Sequence, residues 1–592
     1  MNAADFVIKS LENQGVKDIF LLPGGGCMYL VDAVHRSEQI QAWPMLHEQS
    51  VGVAAEAYAQ FKNDLGVALV TTGPGGTNAL TACAAAWLDS TPMLFISGQV
   101  KTEDDARKYG VRQLGFQEIP ITEMAKSITK EAIRISSVSE LSEVLARLIS
   151  LAKSGRPGPV WIDIPLDIQA ATLDTAPIQK QNMRKATSSI TESQLEEIIA
   201  YWSSAERPIL LLGNGVRLSN SVTAALELMN LTQTPCLLTW KALDFLPEEH
   251  PLNAGRPGAI AQRWSNFAQQ TADFILVIGA RLDLGQTAYR PDNFAPRAKK
   301  FVIDIDSNEL AKLESTGATC IEADAKTFIE LITKKIASYP AINRRKKWLD
   351  TIAGWKREYP LLQSKHLEPL SGVNLYEFIS ILSDKMVGSD LLIPGSSGAC
   401  SEISMQGFRV KPRQRVLNSE GLGPMGFGIP APIGACIASG GHRTISIDGD
   451  GGFLMNIQDL ATIQLHNLPI KIFVLNNNGY GSIKTSQDRY FEGRRLGTDP
   501  STGLAIPELE GIVRGFKLNY QILRNRDHLA ERVEEILSDN YPTIIEVIVD
   551  PNQQTEPRTF TEVLANGKML TAPMENLHPL IDKDNLAKLL NI

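Results

Sequence analysis

The sequence lacks the features by which membrane, secreted and nucleic-acid-binding proteins are recognised. No stretch approaches the run of about 18 uncharged apolar residues that a membrane-spanning helix needs. The segment 1–20 lacks the basic and apolar regions of a signal peptide. Lysine and arginine form no cluster, and the net charge is −8. Because nucleic acid and anionic membranes attract clustered positive charge, both are disfavoured as main partners.

The cysteines form no metal-binding or redox motif. None of the six is paired as CxxC, and no histidine lies at zinc-finger spacing. We therefore expect free thiols in a reducing cytoplasm. The hydrophobic fraction of 43% and the charged fraction of 21% are ordinary for a globular protein. A length of 592 residues suggests about three or four domains.

Short apolar runs alternate with helical patterns in three blocks of the chain, which is typical of parallel α/β domains. The sequence thus predicts an α/β fold of three Rossmann- or flavodoxin-like domains with parallel sheets. The predicted first domain covers 1–175, the central domain 186–345 and the third domain 370–550, followed by a tail at 551–592. At the very start, the apolar spacing predicts an amphipathic helix that runs into a strand.

One stretch of the third block places polar motifs at the ends of two apolar runs. The first run ends at Gly-Asp-Gly, around Asp450, and the second ends at three asparagines that include Asn477. Between them, 455–466 predicts a helix. The residues expected on its apolar side are Ile457, Leu460, Ala461, Ile463 and Leu465. Because a strand–helix–strand unit makes parallel neighbours whose carboxyl ends share one sheet edge, we expect Asp450 and Asn477 to lie close together.

These two side chains suit a magnesium ion. Carboxylate and amide oxygens are hard ligands, and Mg²⁺ usually takes few protein groups together with substrate phosphates. Gly449, Gly451 and Gly452 let the backbone approach a ligand and offer N–H groups near a helix N-terminus, where anions are favoured. We interpret the motifs as a Mg²⁺–diphosphate clamp. The alternative, a glycine turn and an asparagine-rich loop without function, is disfavoured by the strand–helix–strand context.

The stretch GDGGFLMNIQDLATIQLHNLPIKIFVLNNNGYG (449–481) resembles the cofactor motif of thiamine-diphosphate (ThDP) enzymes. The resemblance implies that Asp450, the Asn477 side chain and the carbonyl of Gly479 bind Mg²⁺. It covers nearly the whole chain, in the order seen in acetolactate-synthase-like members. The other matching motifs are LLPGGG (21–26), HEQS (47–50), TTGPGGTNAL (71–80), FQE (116–118), GRPGPVWIDIP (155–165), GARLD (279–283) and GLGPMGFGIP (421–430).

The resemblance implies a pyrimidine-binding domain, a central domain and a diphosphate-binding domain. It also implies an active site between the first domain of one subunit and the third domain of another, hence a homodimer or homotetramer. Glu48 matches the glutamate that hydrogen-bonds N1′ of the aminopyrimidine, so that N4′ takes the proton from C2 of the thiazolium. A carboxyl in a water-poor site can share a proton in this way. The plain alternative for Glu48 is a surface acid at a helix start.

Further residues match positions around the cofactor in the family. Gln117 and Phe116 match side chains of the reacting pocket, with Phe116 lining the substrate channel. Met425 matches the apolar wedge that forces the two ThDP rings into a V, although a core methionine is the alternative. The other matches to cofactor-binding positions are Pro74, Asn78, Ser396, Ser397, Gly398 and Gly423.

The central block resembles the FAD-binding part of acetolactate synthases. The GNG at 213–215 alone is equally the mark of an ordinary tight turn. Together with GARLD, VIDID and EADAKTF, however, it implies a largely structural FAD. Some relatives bind ADP there or nothing. The residues that match flavin-contacting positions are Gly213, Gly215, Arg281, Asp304 and Asp324.

The resemblance implies decarboxylation of a 2-keto acid, with pyruvate as the expected donor. Decarboxylases of the pyruvate decarboxylase type carry an adjacent histidine pair, whereas none of the eight histidines here is adjacent to another. We therefore expect a carboligase that transfers the two-carbon unit to an acceptor carbonyl. The alternatives are a decarboxylase or lyase that releases an aldehyde, acetolactate synthase proper, and a cofactor-binding protein without catalysis. Retention of Glu48 argues against the last of these.

The departures from acetolactate synthases fall in the donor and acceptor pocket. Ala399 and Cys400 stand where a Gln-His pair is usual, and Ser482 and Ser486 replace a Met and a Trp. Small polar side chains predict a larger, more polar pocket than 2-ketobutyrate needs. One relative of this kind transfers the two-carbon unit to a nucleotide-linked 4-keto sugar, making a branched sugar such as yersiniose. The tail at 551–592 is either a lid over the acceptor or a plain packing tail.

Overall fold

The computed structural model contains three α/β units, each built on a six-stranded parallel sheet, and a two-stranded antiparallel ribbon in the tail. The predicted fold class is confirmed. The predicted domain boundaries stay predictions, but each sheet falls within one of the predicted domains. The described residues are 1–179, 190–337, 345–368, 371–395, 398–551, 553–563 and 566–591.

The first unit has the strand order β2-β1-β3-β4-β6-β5. The predicted N-terminal helix is confirmed, because the first helix buries Phe6, Val7 and Leu11 directly before the first strand. The strands are β1 (Asp18–Leu21), β2 (Gln41–Pro44), β3 (Gly66–Val70), β4 (Met93–Gln99), β5 (Ala132–Arg134) and β6 (Pro159–Pro165). The helices are α1 (Ala3–Gln14), α2 (Met28–Arg36), α3 (Glu48–Lys62), α4 (Pro74–Leu88), α5 (Ile121–Ala125), α6 (Leu141–Lys153) and α7 (Leu166–Ala170). Every residue of β3, β4 and β6 is buried, as expected for a parallel sheet covered on both faces.

The central unit has the order β12-β11-β10-β7-β8-β9, so its strand order reverses between β7 and β10. Its strands are β7 (Pro208–Leu212), β8 (Cys236–Leu238), β9 (Asn253–Gly255), β10 (Phe274–Ile278), β11 (Lys299–Asp304) and β12 (Thr319–Glu322). The helices are α8 (Glu192–Ser204), α9 (Asn214–Leu218), α10 (Val222–Thr232), α11 (Arg263–Thr271), α12 (Ser307–Ala311) and α13 (Ala325–Ile336), and α14 (Lys346–Glu358) leads out of the unit. Ligands of open α/β sheets bind at such a reversal, beyond the carboxyl ends of the strands.

The third unit has the order β14-β13-β15-β16-β18-β17, with the reversal between β13 and β15. Its strands are β13 (Leu391–Pro394), β14 (Arg415–Val416), β15 (Thr444–Gly449), β16 (Ile470–Asn476), β17 (Asn519–Leu523) and β18 (Thr543–Ile548). The helices are α15 (Leu375–Lys385), α16 (Gly398–Gly407), α17 (Pro430–Ser439), α18 (Asp450–Phe453), α19 (Leu460–Leu465), α20 (Gly481–Tyr490), α21 (Leu509–Gly515) and α22 (Leu529–Ile536). The strand that ends before Asp450 therefore lies beside the reversal, where a ligand crevice is expected.

The predicted single helix at 455–466 is wrong in part. A short 3-10 segment runs from Leu454 to Asp459, with non-helical backbone at Asn456, and only then does α19 begin. Leu460 and Ile463 are buried, but Leu465 is 75% exposed. The break rotates the later residues relative to the earlier ones, so a single 3.6-residue period does not hold across the whole stretch.

Helices α3 and α17 join the first and third units into one hydrophobic core. All residues from Ser50 to Ala59 on α3 are buried, which is the pattern of a helix packed on every side. Ala54 and Ala55 share a core with Ile433 and Ala435 of α17. The small residues at this crossing let the two helix backbones approach closely. This packing fixes the start of α3, which carries Glu48, relative to the third sheet.

The tail runs back over the central unit. Its elements are β19 (Thr561–Val563), β20 (Met569–Thr571) and α23 (Lys583–Leu590). Asn266 of α11 donates a hydrogen bond of 2.7 Å to the carbonyl of Met574, whose side chain is buried. Leu586 packs against the central core. The described tail from Met574 to Leu586 thus contacts the central unit.

The six cysteines form no disulfide bond with one another, and five of them are buried. None of the described helices has the length and apolar character needed to cross a membrane.

Candidate active site

Glu48 begins α3 and points into the protein. The residue is only 8% exposed, and one carboxylate oxygen, Oε2, accepts a hydrogen bond of 2.9 Å from the Asn78 amide. Asn78 lies in the first turns of α4, the helix that begins at Pro74 after the left-handed Gly73. The structure thus brings three of the predicted residues together and rules out the surface-acid alternative for Glu48.

Gln117 and Phe116 are neighbours on a loop near the same helix, but they differ in position and exposure. A Cβ atom on Gly73 would collide with the Gln117 backbone, so Gln117 is next to the turn that starts α4. Gln117 itself has a left-handed backbone, with φ of +61°. The side chain of Phe116 is 86% exposed. The structure therefore places Gln117 beside the Pro74 turn and does not bring Phe116 to Glu48.

The two polar motifs of the third unit meet as predicted. Strands β15 and β16 are parallel neighbours, with Gly449 opposite Leu475. Asp450 follows β15, and its two carboxylate oxygens accept hydrogen bonds from the backbone N–H of Gly451, at 2.7 Å, and of Gly479, at 2.9 Å. Gly479 needs its positive φ of 142°, and a side chain there would overlap the carbonyl of Thr498.

The Asp450 carboxyl is buried, and the described residues supply no cation that pairs with it. Its exposure is 2%, and burial raises its pKa to about 6, although backbone N–H groups offset part of this effect. Within the described residues, neither lysine nor arginine forms an ion pair with Asp450. A divalent cation would supply the missing charge. These residues therefore fit Mg²⁺ held by few protein ligands plus diphosphate oxygens.

The described residues contain no group of three or more His, Cys, Asp or Glu side chains that could hold a metal ion unaided. A cation at Asp450 would thus be completed by other oxygens, such as those of an amide, a backbone carbonyl, water or a phosphorylated ligand.

Asp448 is a buried carboxyl that sequence reasoning missed. Desolvation raises its pKa to about 7, and one of its oxygens has no hydrogen-bond partner in the described part of the chain. A Cβ atom added at Gly452 would lie 2.5 Å from Oδ1 of Asp448, and one added at Gly395 would lie 2.7 Å from it. Asp448 therefore sits where the loops after β13 and β15 converge. Asp448 lies within an apolar run of the sequence, and nothing in that run indicates that its carboxyl packs against glycines.

Met425 connects the two halves of the site. Its terminal methyl, Cε, lies 3.4 Å from the Cβ position of Gly451, and its carbonyl accepts a hydrogen bond of 3.4 Å from the Gln49 side chain. A second link is the hydrogen bond of 3.0 Å from the Leu46 N–H to the Asp459 carboxylate. In this structure the Glu48 half and the Asp450 half thus meet within one chain. The resemblance had implied that they come from different subunits, and that arrangement stays a prediction.

The predicted diphosphate-binding residues are distributed around the same edge. Ser396 and Ser397 lie outside the described residues. Gly398 begins α16, and a Cβ atom added there would lie 2.8 Å from the Ser482 hydroxyl on α20. Gly423 precedes Met425 by two residues and has a left-handed backbone. Ser482 and Ser486 are both exposed, and the Ser486 hydroxyl donates to the Ser482 carbonyl at 3.0 Å. The exposed face of α20 is thus adjacent to the cofactor turn.

A cavity of about 520 Å³ lies between the first and central units, in the size range of ligand pockets. Four of the five predicted flavin residues line it: Gly215, Arg281, Asp304 and Asp324. Gly213 does not line it, because its turn packs against Gly279 and Ala280 instead. Burial raises the pKa of Asp304, which ends β11. An acidic residue at a strand end is suited to bind ribose hydroxyls.

Lys241 ties the three units together beside this cavity. Its ammonium group donates to the Asp89 carboxylate at 2.8 Å and to the Asn418 carbonyl at 2.7 Å. The other Asp89 oxygen accepts from the Gly421 N–H at 2.9 Å. This contact holds the loop that leads to Met425, and sequence motifs gave no sign of it.

We expect Lys241→Met to destabilise the protein, because it leaves the buried Asp89 carboxylate without its cation. Loss of one partner from a buried pair costs about 3–5 kcal/mol. Thermal unfolding measures the effect, and Lys101→Met, which removes an exposed pair with Glu103, is the control. Adding Asp89→Asn to Lys241→Met should recover part of the loss. Equal stability of the Lys241 and Lys101 variants would contradict this role.

Glu56 lies fully buried two turns after Glu48 on the same helix. Burial, and then the nearby Asp89, raise its pKa to about 8. Between about pH 4.5 and 8 the folded protein therefore keeps a proton that the unfolded chain has lost. The free energy of unfolding should fall as the pH rises through this window, by about 1.4 kcal/mol per pH unit for this one proton.

We therefore expect Glu56→Gln to flatten the pH dependence of stability. Chemical denaturation of the wild type and the variant between pH 5 and 9 measures the difference. The variant should gain relative stability as the pH rises. A constant difference between the two proteins across this range would show that Glu56 is ionised in the folded state.

The chain matches three family models. They are described as thiamine pyrophosphate enzyme, N-terminal TPP binding domain, over 1–124; central domain, over 195–332; and C-terminal TPP binding domain, over 396–547. Thiamine pyrophosphate is another name for ThDP. Each matched segment falls within one of the three α/β units.

Known proteins match along nearly the whole chain. The acetolactate synthase isozyme 1 large subunit of Escherichia coli (strain K12) is 32% identical over 557 residues, covering 94% of this chain and 95% of that protein. Acetolactate synthase 2, chloroplastic, of Zea mays is 32% identical over 591 residues, covering 95% and 89%. Acetolactate synthase, chloroplastic, of Arabidopsis thaliana is 32% identical over 587 residues, covering 95% and 84%.

Proposed function

Because the chain belongs to the ThDP-dependent enzymes and is acetolactate-synthase-like, we propose that it is a Mg²⁺-dependent carboligase that uses pyruvate as donor. In this proposal it decarboxylates the 2-keto acid and transfers the two-carbon unit to an acceptor carbonyl. The observation that carries the proposal is that Met425 lies between the two halves of the site. Its carbonyl accepts a hydrogen bond of 3.4 Å from Gln49, the neighbour of Glu48, and its terminal methyl would lie 3.4 Å from a Cβ atom at Gly451, the neighbour of Asp450. The resemblance read from the sequence is confirmed at the level of the family.

In this proposal, one group of residues binds the cation and Glu48 handles the proton. Asp450, Asn477 and the Gly479 carbonyl would hold the cation, and the N–H groups of the same turn favour negative charge. Glu48, held by Asn78, would accept a hydrogen bond from the cofactor and share its proton in a water-poor site. When bound, ThDP supplies the electron sink that lets CO₂ leave a 2-keto acid.

The acceptor is proposed to be larger and more polar than a second keto acid, with a nucleotide-linked keto sugar as the specific candidate. The support is α20, where the small polar side chains of Ser482 and Ser486 are exposed. A second candidate is acetolactate synthase proper, which the names of the relatives favour. Release of an aldehyde by a decarboxylase is the third outcome that an experiment must distinguish.

We also propose that FAD occupies the central cavity as a structural cofactor. Arg281 and Lys241 bring positive charge to the cavity wall, which suits a diphosphate, and Asp304 suits a ribose. Subunits of a homodimer or homotetramer would cover apolar side chains that one chain leaves exposed near the site, including Phe116 at 86% and Leu46 at 55%. A cytoplasmic location is proposed as well, and the lack of disulfide bonds among the described cysteines agrees with it.

The first experiment is to incubate the purified protein with ThDP, Mg²⁺ and pyruvate and to identify the products by NMR. Rapid formation of acetolactate would assign a pyruvate-condensing synthase, and acetaldehyde would assign a decarboxylase. Slow consumption of pyruvate that accelerates when a nucleotide-linked 4-keto sugar is added is the result we expect. If pyruvate stays unconsumed both alone and with the keto sugar, the proposed donor is wrong.

A further inference from the structure

One side of α20 leads from the cofactor turn to the tail. Ser482, Ser486 and Arg489 are spaced by four and three residues, so they share a helix face. At one end of this face, the Ser482 hydroxyl lies close to Gly398: a Cβ atom added at that glycine would be 2.8 Å from it. At the other end is Arg489, roughly 10 Å further along the helix at 1.5 Å per residue. A ligand that lies along this face and reacts near Ser482 would thus have its far end at Arg489.

Arg489 is exposed, but the tail holds its guanidinium in place. One of its NH₂ groups donates a hydrogen bond to the Thr561 carbonyl, and its central carbon lies 4.4 Å from the ring centroid of Phe560. The His578 ring stacks on Phe560, with centroids 5.9 Å apart. A guanidinium has five N–H donors, and the Thr561 carbonyl is the one hydrogen-bond acceptor it has in the described part of the chain. The group is therefore oriented in advance while most of its donors stay available for a ligand.

A second arginine lies on the same side of the tail. Arg558 exchanges backbone hydrogen bonds with His578 at 3.1 and 2.7 Å, so the chain is extended there. Side chains two residues apart lie on the same side of an extended chain, which places Arg558 on the side of Phe560. Its guanidinium is 3.9 Å from the Glu402 carboxylate on α16 and 46% exposed. Glu402 also accepts a hydrogen bond of 2.7 Å from Thr555.

We propose that Arg489 and Arg558 form a subsite for the phosphate groups of the acceptor. The inference rests on the proposed function, because it assumes that the acceptor carbonyl approaches the cofactor beside Ser482. A planar guanidinium group can bind two phosphate oxygens at once, and two such groups on the same side of the tail suit a diphosphate. The acceptor is then a nucleoside diphosphate linked to a carbonyl-bearing sugar. The sugar lies along Ser482 and Ser486, and the diphosphate meets the arginines.

The alternative is that Arg489 serves only to fasten the tail. The charge-conserving variant Arg489→Lys separates the two roles, because lysine keeps the positive charge but cannot form the same planar contacts with Phe560 and Thr561. If the arginine binds phosphate, lysine should retain part of the affinity and glutamine should not. If it only fastens the tail, both variants should loosen the tail equally, which limited proteolysis measures.

The test uses the full chain saturated with ThDP and Mg²⁺ and titrates it with uridine diphosphate in a calorimeter. We expect Arg489→Gln and Arg558→Gln each to weaken binding at least 10-fold, as loss of a charge-assisted hydrogen bond to phosphate would. Inorganic pyrophosphate should compete with uridine diphosphate, whereas uridine should not. This arm separates recognition of the diphosphate from recognition of the base.

Two matched controls locate the binding. Arg514→Gln removes an exposed arginine paired with Glu510 and should change nothing. Arg281→Gln alters the wall of the central cavity, the other place where a nucleotide could bind. Failure of uridine diphosphate to bind, or loss of binding in the Arg281 variant alone, would overturn the subsite. Neither result touches the decarboxylation of pyruvate, which tests the proposed function separately.

Discussion

Glu48→Gln is expected to lower turnover by about 100- to 10,000-fold, the range that loss of a positioned acid–base group produces. Glutamine keeps an oxygen for the hydrogen bond from Asn78, so the start of α3 should stay in place. It cannot take up and return a proton. The loss should therefore appear in the chemical step and leave ThDP affinity largely unchanged.

Two measurements separate these effects. Hydrogen–deuterium exchange at C2 of bound ThDP, followed by NMR, reports the proton transfer directly, and calorimetry reports cofactor affinity. Glu56→Gln is a matched control, since it makes the same substitution at another buried glutamate of the same helix. We expect turnover of that variant near the wild-type value at neutral pH. Near-wild-type turnover of Glu48→Gln would remove Glu48 from the catalytic assignment.

Asp450→Ala is expected to weaken ThDP binding by about 100-fold or more when Mg²⁺ is present, because it removes the buried carboxylate that fits the cation. Without Mg²⁺ the difference between the variant and the wild type should shrink. The protein without cofactor should not lose stability, because burial already raises the pKa of this carboxyl to about 6 and so disfavours its charged form.

Calorimetric titration of ThDP at several Mg²⁺ concentrations measures this coupling, and thermal unfolding without ligands checks the fold. Asp527→Ala, at an exposed aspartate, serves as the control. A loss of ThDP affinity that is the same with and without Mg²⁺ would mean that Asp450 acts on the loop and not on the cation. Unchanged affinity would refute the clamp.

The sequence by itself determined the three α/β units and the main polar residues of the site. Parallel strands buried on both faces read as continuous apolar runs, and β3, β4, β15 and β16 follow this pattern. The polar residues that end such runs must gather at one sheet edge, because parallel neighbours end on the same side. The contact between Asp450 and the Gly479 turn was therefore predictable from the amino-acid sequence alone.

Only the tertiary structure decided which of these groups face each other. The contact of Gln49 with Met425 depends on how α3 packs against α17, and no local pattern encodes a contact between residues so far apart in the chain. The same holds for Lys241 with Asp89, and for Glu56, whose surroundings come from two units. Burial and charge pairing arise from long-range packing, whereas secondary-structure patterns arise from neighbours along the chain. The exposure of Leu465 shows the same limit, because a break in the backbone at Asn456 changed a face that spacing alone had predicted.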